Sequence, residues 1–332
     1  SKVGVIIPSL SRPKNLLRQL KFYNHLKANF DIYICDSTPI LNYKFLDEIN
    51  FLSKSLTINY FHEPNLNDIE AIHFLISKCN SAYTAYIADD DFFLPEGIFK
   101  SVDFLEENKG YRVAYGQAII VNQESLFNPS SRIVISPYWG KPIFNQDNFL
   151  ERLNSYSKNY FVPQFGVHRT TEFLEDFSPC SKLKSRSMSE YLSNYLTILR
   201  GKAMFLPIPY LIRQTHSERY CMPSHFVDIL VDDSFGEALP IFIKNMSKTF
   251  KELGTESSES NSLAKKYAKS ILFNLFNKSL KQQTKNNSII PFYAYINYLY
   301  RRVFFSFRNI YFRSSTYLSG FQKYLEIIQF LE

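Results

Sequence analysis

Residues 83–97, YTAYIADDDFFLPEG, decide how this chain is read. The stretch opens as an apolar, strand-forming run, passes through three consecutive carboxylates, Asp89, Asp90 and Asp91, and closes on Leu94-Pro95, a helix start. Three adjacent negative charges at the mouth of a buried strand repel one another and are partly desolvated, so something positive must offset their cost. A helix N-terminal dipole beginning near Pro95 welcomes one carboxylate, but one Asp suffices for that role. A hard divalent cation, Mn2+ or Mg2+, takes carboxylate oxygens and is usually shared with substrate phosphates, and it is the expectation here.

Outward from this stretch, strands and helices alternate. VGVIIP (3–8), DIYICD (31–36), LTINYFH (56–62), YTAYIA (83–88) and YRVAYGQAIIV (111–121) read as strands. Between the first two, Pro13 marks a helix start, and Leu16, Leu17, Leu20 and Tyr23 recur at helical spacing. Asn67 is placed to cap a later helix, with Glu70 at the capping-box distance. Continuous apolar strands separated by helices predict an α/β fold, a mainly parallel sheet covered on both faces. In such sheets ligands bind outside the carboxyl ends of the strands, where the triplet lies.

From 122 to 253 the pattern is mixed, with strand-like pieces near 132–135, 162–168 and 203–213, and helices near 145–158, 188–200 and 223–251. The expected organisation is a catalytic domain over 1–253, with a nucleotide-binding half (1–121) and an acceptor half (122–253). A polar linker, GTESSESNS (254–262), and a basic aromatic helical region (263–332) follow. The net charge is +7, and the tail carries it: 263–332 holds 11 Lys and Arg against 2 acidic residues. Basic aromatic helices suit an anionic membrane interface, and equally suit packing on the catalytic domain or on a second copy of the chain. Single-strand nucleic acid also uses such residues, but nothing else in the sequence supports it, so no nucleic-acid partner is expected.

Cys35, Cys79, Cys180 and Cys221 are widely spaced without a C-x-x-C pair, which argues against zinc and disulfides and for a reducing cytoplasm. The chain enters strand one directly, so no secretory signal is expected, and no apolar run approaches the ~18–20 residues that span a bilayer. A P-loop and a dinucleotide fingerprint are absent, and the turn after strand one, SLSRP, is not glycine-rich. What remains is a nucleotide held through the strand ends.

VGVIIPSLSRP, IYICDSTP and AYIADDDFFLPEGI, in this order and spacing, resemble the nucleotide-binding half of GT-A fold glycosyltransferases, close to the large inverting family 2, over about residues 3–216. The resemblance implies that Pro8, Ser9 and Arg12 line the nucleobase pocket and that Asp36 accepts from a base N–H, which suits uracil. For Asp36 an Asx-turn with Ser37 and Thr38 is the competing reading. It further implies that Asp91 binds Mn2+ or Mg2+, that Asp89 reaches the ribose or the metal's water shell, and that Asp90 serves beside them. His216 would complete the metal site, and Arg213 would pair with a diphosphate oxygen. Family members often carry a Gly-containing loop and an Arg-Asn pair before the D-x-D strand; NLNDIEAIHFLISKCN has neither, which leaves donor contacts from Asp68 or His73 open, with a packed or surface-exposed His73 as the competing reading.

Inverting sugar transfer needs a carboxylate to take the acceptor hydroxyl's proton. In SMSEYLSNYLTILRG, Glu190 occupies the family's base position and Gly201 its following glycine, with Ser189 in place of the first acid. Ser187-x-x-Glu190 also has capping-box spacing, and Glu175 and Asp176 are rival bases. The resemblance thus implies a metal-dependent transferase moving a sugar from a UDP-linked donor to a growing bacterial surface glycan, capsule or lipopolysaccharide, on a lipid-linked acceptor at the inner membrane face. A GT-A-like nucleotidylyltransferase, or a module that only binds nucleotide, is the alternative.

Overall fold

A computed structural model describes residues 1–127, 133–216, 233–286 and 316–331. In chain order its elements are β1 (Val3–Ser9), α1 (Pro13–His25), β2 (Asp31–Asp36), α2 (Tyr43–Leu52), β3 (Ile58–His62), α3 (Asp68–Lys78), β4 (Tyr83–Tyr86), β5 (Phe92–Phe93), α4 (Pro95–Glu107), β6 (Tyr111–Asn122) and α5 (Gln123–Phe127). The second half continues with β7 (Ile135–Pro137), α6 (Phe149–Lys158), β8 (Val167–Arg169), α7 (Thr170–Phe177), α8 (Arg186–Arg200), β9 (Lys202–Thr215), α9 (Asp233–Glu252), α10 (Ser257–Asn286) and α11 (Thr316–Phe330).

The strands join in one sheet of order β3-β2-β1-β4-β8-β6-β9-β5, with β7 paired to β6. It is parallel where strand and helix alternate in sequence: β1 pairs in parallel with β2 and β4, and β2 with β3. Beyond β4 the sheet turns mixed, because β8 enters antiparallel to both β4 and β6 while β6 and β9 run parallel. The apolar runs of β1, β2 and β4 are buried throughout, as a strand covered on both faces requires. α3 carries the capping box that Asn67 and Glu70 foretell, and it packs on β1, β2 and α7.

Two glycines let α4 and β6 approach the backbone of β9 closely. A Cβ on Gly97 in α4 would stand 2.5 Å from Pro209 O, and one on Gly116 in β6 would stand 2.5 Å from Ile208 O. Gly116 sits where the β6–β9 register shifts, so its missing side chain is what lets the bulged strand through.

The polar stretch 254–262 is not a linker. Gly254 turns the chain at φ +90, Thr255 N–H donates back to Phe250 O at 3.0 Å, and α10 starts at Ser257. α9 and α10 pack together, α9 packs on α8 and α10 on α6, with Tyr267 donating to Asn154 Oδ1 at 2.9 Å. Polar composition misled here because the first turns of a helix on a protein's edge are solvated like a linker. The C-terminal α11 also belongs to the main body: it packs on β9, α1 and α5, burying Phe321 and Ile328, with Tyr324 6.4 Å from Phe22. Most of the basic aromatic stretch, 287–315, lies outside the described residues. Among the described residues no helix is long and apolar enough to cross a membrane.

Candidate active site

The parallel register sets Ser9 beside Asp36 and Ile6 beside Tyr86, so the carboxyl ends of β1, β2 and β4 open on one edge. After β4 the chain turns through the three aspartates, Asp91 N–H donating to Ala88 O at 3.3 Å, and returns as β5. β5 pairs antiparallel with β9, Phe92 opposite Ile212. The residue before one strand therefore meets the residues after the other, and Arg213, Gln214 and His216 arrive beside the triplet.

Each carboxylate is engaged. Asp89 accepts from Arg12 Nη1 at 2.7 Å on Oδ1 and from Ser9 Oγ at 2.7 Å on Oδ2. Asp90 Oδ2 accepts from Arg12 Nη2 at 3.0 Å and lies 2.8 Å from His216 Nε2. Asp91, 1% exposed, accepts from Arg213 Nε on Oδ2 and from the Gln214 backbone N–H on Oδ1, both at 2.8 Å. Gln19 ties the loop down, its amide donating to Ala88 O at 2.9 Å and Asp91 O at 2.6 Å. Two guanidinium groups thus supply the positive charge that the sequence demanded, with the His216 imidazole beside Asp90. Burial pushes the Asp89 carboxyl up to about 6 against the pull of Arg12. For Asp90 burial is overcome by His216 and Arg12, which hold its carboxyl at about 2.

Arg12 is aimed by its backbone. Ser11 adopts a left-handed φ of 55, its N–H held by Thr38 Oγ1 at 2.9 Å, and Arg12 stands as the N-cap residue of α1 just before Pro13. Asp36 is the Asx-turn: Oδ1 accepts from the Thr38 N–H at 2.9 Å and from the Thr38 hydroxyl, and Oδ2 accepts from Tyr60 OH at 2.7 Å. Both oxygens are occupied in building the turn that holds Ser11.

An open cleft lies at this edge, lined by Pro8, Ser9, Arg12, Ser37 and Asp89. Its lining continues with Asn67 and Asp68, at the N-terminus of α3, and Arg186, which reaches Asp68 Oδ2 at 3.1 Å. Arg213 lies against Tyr138 and Phe165, each ring centroid 4.7 Å from its guanidinium carbon, and donates to Tyr138 OH at 2.6 Å. Burial opposes its charge, but Asp91 keeps the guanidinium firmly protonated.

Glu190, in the second turn of α8, accepts from Tyr160 OH at 2.8 Å. It takes no part in capping, since Ser185 caps this helix by accepting from Met188 N–H. Its charge is felt at Tyr86 and Tyr138, beside the triplet and Arg213. The rival carboxylates lie elsewhere: Asp176, with no exposed surface, is held by Arg112, Arg200 and Thr197, and Glu175 pairs with the same two arginines. His73 stands 3.5 Å from Ser178 Oγ, away from the triplet's partners.

Asp91 is buried, and each of its oxygens already accepts one hydrogen bond, from Arg213 Nε and from the Gln214 N–H, so Mn2+ or Mg2+ would have to share it with that guanidinium. Asp90 Oδ2 and His216 Nε2 stand 2.8 Å apart, and both would have to be free of a proton to take an ion. Two ligands at right angles around an ion at about 2.1 Å stand about 3.0 Å apart. Among the described residues no group of three His, Cys, Asp or Glu is gathered to hold an ion; the Arg12 guanidinium fills the space between Asp89, Asp90 and His216. Sequence reasoning missed Gln19, Tyr138, Tyr160 and Arg186, which reach the site from distant elements and carry no local motif.

Residues 4–165 match the model of the family described as Glycosyl transferase family 2. Among curated proteins, an uncharacterized glycosyltransferase of Rickettsia bellii is 28% identical over 109 residues, covering 32% of this chain and 16% of that relative. Among solved structures, S. aureus TarS 1–349 in complex with UDP-GlcNAc is 12% identical at a TM-score of 0.55, over 87% of this chain and 77% of that one. A structure titled as S. aureus TarS is 14% identical at a TM-score of 0.44, and the match takes in 75% of this chain but only 44% of that chain. The fold is that of the GT-A glycosyltransferases. The chain carries a glycosyltransferase domain of the family 2 type.

Proposed function

We propose that this chain transfers a sugar from a nucleotide donor, UDP-linked first, to a hydroxyl of a growing bacterial surface glycan, by a single inverting displacement. The observation that carries the reading is the cleft at the carboxyl ends of β1, β2 and β4, lined by Asp89 of the triplet together with Arg12 and Arg186. Ser9 and Ser37 supply hydroxyls to the nucleoside, and Arg213 stands behind the diphosphate with its charge fixed by Asp91.

Glu190 is the proposed base. It would accept the acceptor hydroxyl's proton as oxygen attacks the anomeric carbon and the nucleoside diphosphate leaves from the opposite side. Tyr160, whose hydroxyl burial and then the Glu190 charge push well above its usual range, stays a donor and holds that carboxylate's orientation. Mn2+ or Mg2+, held by Asp90 and His216, would neutralise charge on the departing phosphates when bound. The proposed acceptor is a lipid-linked capsule or lipopolysaccharide chain at the inner membrane face, which the basic aromatic stretch beyond α10 would approach from the cytoplasm.

The test is a thermal-shift and hydrolysis panel of UDP-, GDP- and CDP-sugars with and without Mn2+. Stabilisation by a UDP-sugar with slow release of UDP is expected. Pyrophosphate release from a nucleoside triphosphate and a sugar phosphate would point to the nucleotidylyltransferase instead.

A further inference from the structure

Two elements hold the loop that carries the triplet. From α1, Gln19 Nε2 donates to Ala88 O and Asp91 O, and Tyr23 OH accepts from the Phe93 N–H at 3.2 Å. The Phe22 ring, also on α1, meets the Phe92 ring edge-on at 4.9 Å. From β9, Arg213 Nε and the Gln214 N–H hold the two oxygens of Asp91. Arg18 joins the two elements, its Nη2 donating to Gln214 Oε1 at 2.8 Å. Its guanidinium carbon stands 5.9 Å from the Phe92 ring centroid and 4.9 Å from that of Phe127, in α5.

The C-terminal helix α11 packs on all three of these elements, α1, β9 and α5. The Tyr324 ring lies 6.4 Å from Phe22, and Gln329 Nε2 donates to Leu126 O at 2.7 Å, beside Phe127. On β9 the helix comes so near that a Cβ on Gly320 would stand 2.7 Å from Pro209 Cγ. Two short routes therefore run from α11 to the same carboxylate. Tyr324, Phe22 and Phe92 lead to the residue that follows Asp91. Gln329, α5, Arg18 and Gln214 lead to the N–H that Asp91 Oδ1 accepts. The links Arg18, Phe22, Phe92 and Gln214 are all buried. Close-packed side chains pass a displacement on rather than absorb it.

We propose that α11 is the back support of the acidic triplet, with Tyr324 and Gln329 as positioning residues that hold the Asp91–Arg213 pair in place beside the cleft. Neither residue lines the cleft, and both lie far beyond residue 165, where the family match ends. Their influence falls on the diphosphate, through Arg213, and not on the nucleoside, which Ser9 and Ser37 meet at the ends of β1 and β2. A misplacement of about 1 Å at such a charge pair is enough to weaken what it holds severalfold or more.

This inference rests on the reading of the cleft as a donor site, and the test keeps the two apart by comparing UDP with uridine. UDP is titrated by calorimetry and uridine by ligand-observed NMR, on the full chain and on Tyr324→Ala, Tyr324→Phe, Gln329→Ala and Phe250→Ala. The last opens a cavity of similar size between α9 and α10, away from these contacts, and melting temperatures are recorded for every variant. Tyr324→Ala is expected to lower the UDP affinity about tenfold and Gln329→Ala about threefold, with uridine affinity kept in both. Tyr324→Phe, which keeps the ring, and Phe250→Ala are expected to bind UDP as the natural chain does. Gln329 is exposed, so its variant decides the matter if Tyr324→Ala does not fold. If the α11 variants keep the natural UDP affinity, or if Phe250→Ala loses as much as they do, the positioning role is overturned and the donor site stands. If the natural chain binds UDP no better than uridine, the donor-site reading fails and this inference falls with it.

Discussion

Tyr160 and Glu190 are joined by a single hydroxyl-to-carboxylate bond of 2.8 Å, and Tyr160 is in turn reached by Asn194 Nδ2 at 3.3 Å. The donated bond fixes the orientation of the carboxylate. Glu190→Gln is expected to cut turnover by about 10²–10⁴-fold while UDP binding is kept. Tyr160→Phe is expected to lower turnover with UDP binding kept, because the carboxylate loses the bond that orients it. A Glu190→Gln enzyme with natural turnover would remove the base assignment.

The Asp89 carboxyl, raised from 3.8 to about 6 by burial, makes folding stability depend on pH. Between these two values the folded chain holds a proton that the unfolded chain has released, so stability rises as pH falls from 7 toward 4. Asp90 acts in the opposite sense: with its carboxyl held at about 2, it contributes stability above 3.8 and loses it only below that. Melting temperatures from pH 4 to 7 are therefore expected to slope less in Asp89→Asn than in the natural chain.

Asp176 is enclosed by Arg112, Arg200 and Thr197, whereas its neighbour Glu175 is 52% exposed. Removing the buried carboxylate leaves two guanidinium groups without their partner. Asp176→Asn is expected to cost about 3–5 kcal/mol in denaturant unfolding, and Glu175→Gln less than about 1 kcal/mol, with turnover kept.

Gly116→Ala would set a methyl group 2.5 Å from Ile208 O, a backbone atom that cannot swing away. The β6–β9 bulge must open to admit it, at a cost of about 1–3 kcal/mol read by thermal unfolding.

Much of this architecture could be read from the chain itself. The parallel half was legible because buried strands carry continuous apolar runs, as in VGVIIP and DIYICD, and the helix at Asn67 because its capping box is local. The neighbourhood of the triplet was legible only as a need for positive charge. That Arg12 and Arg213 meet it could not be read, since Asp91 and Arg213 are 122 residues apart and meet through the two-residue strand Phe92–Phe93. Asp36 was ambiguous for a similar reason: a carboxylate two residues before a threonine serves a turn or a ligand equally well in sequence, and only Tyr60, from β3, shows both its oxygens engaged. The run 254–262 misled because a solvated helix start and a linker share one composition.

The most direct measurement is calorimetric titration of the full chain with UDP, GDP and CDP in the presence of Mn2+, repeated on Ser37→Trp, which fills the cleft. Saturable binding that favours UDP and disappears in the filled variant is the expected result. Nucleotide binding that survives the filled cleft, or no binding of any nucleotide to the natural chain, would contradict a donor site at the ends of β1, β2 and β4.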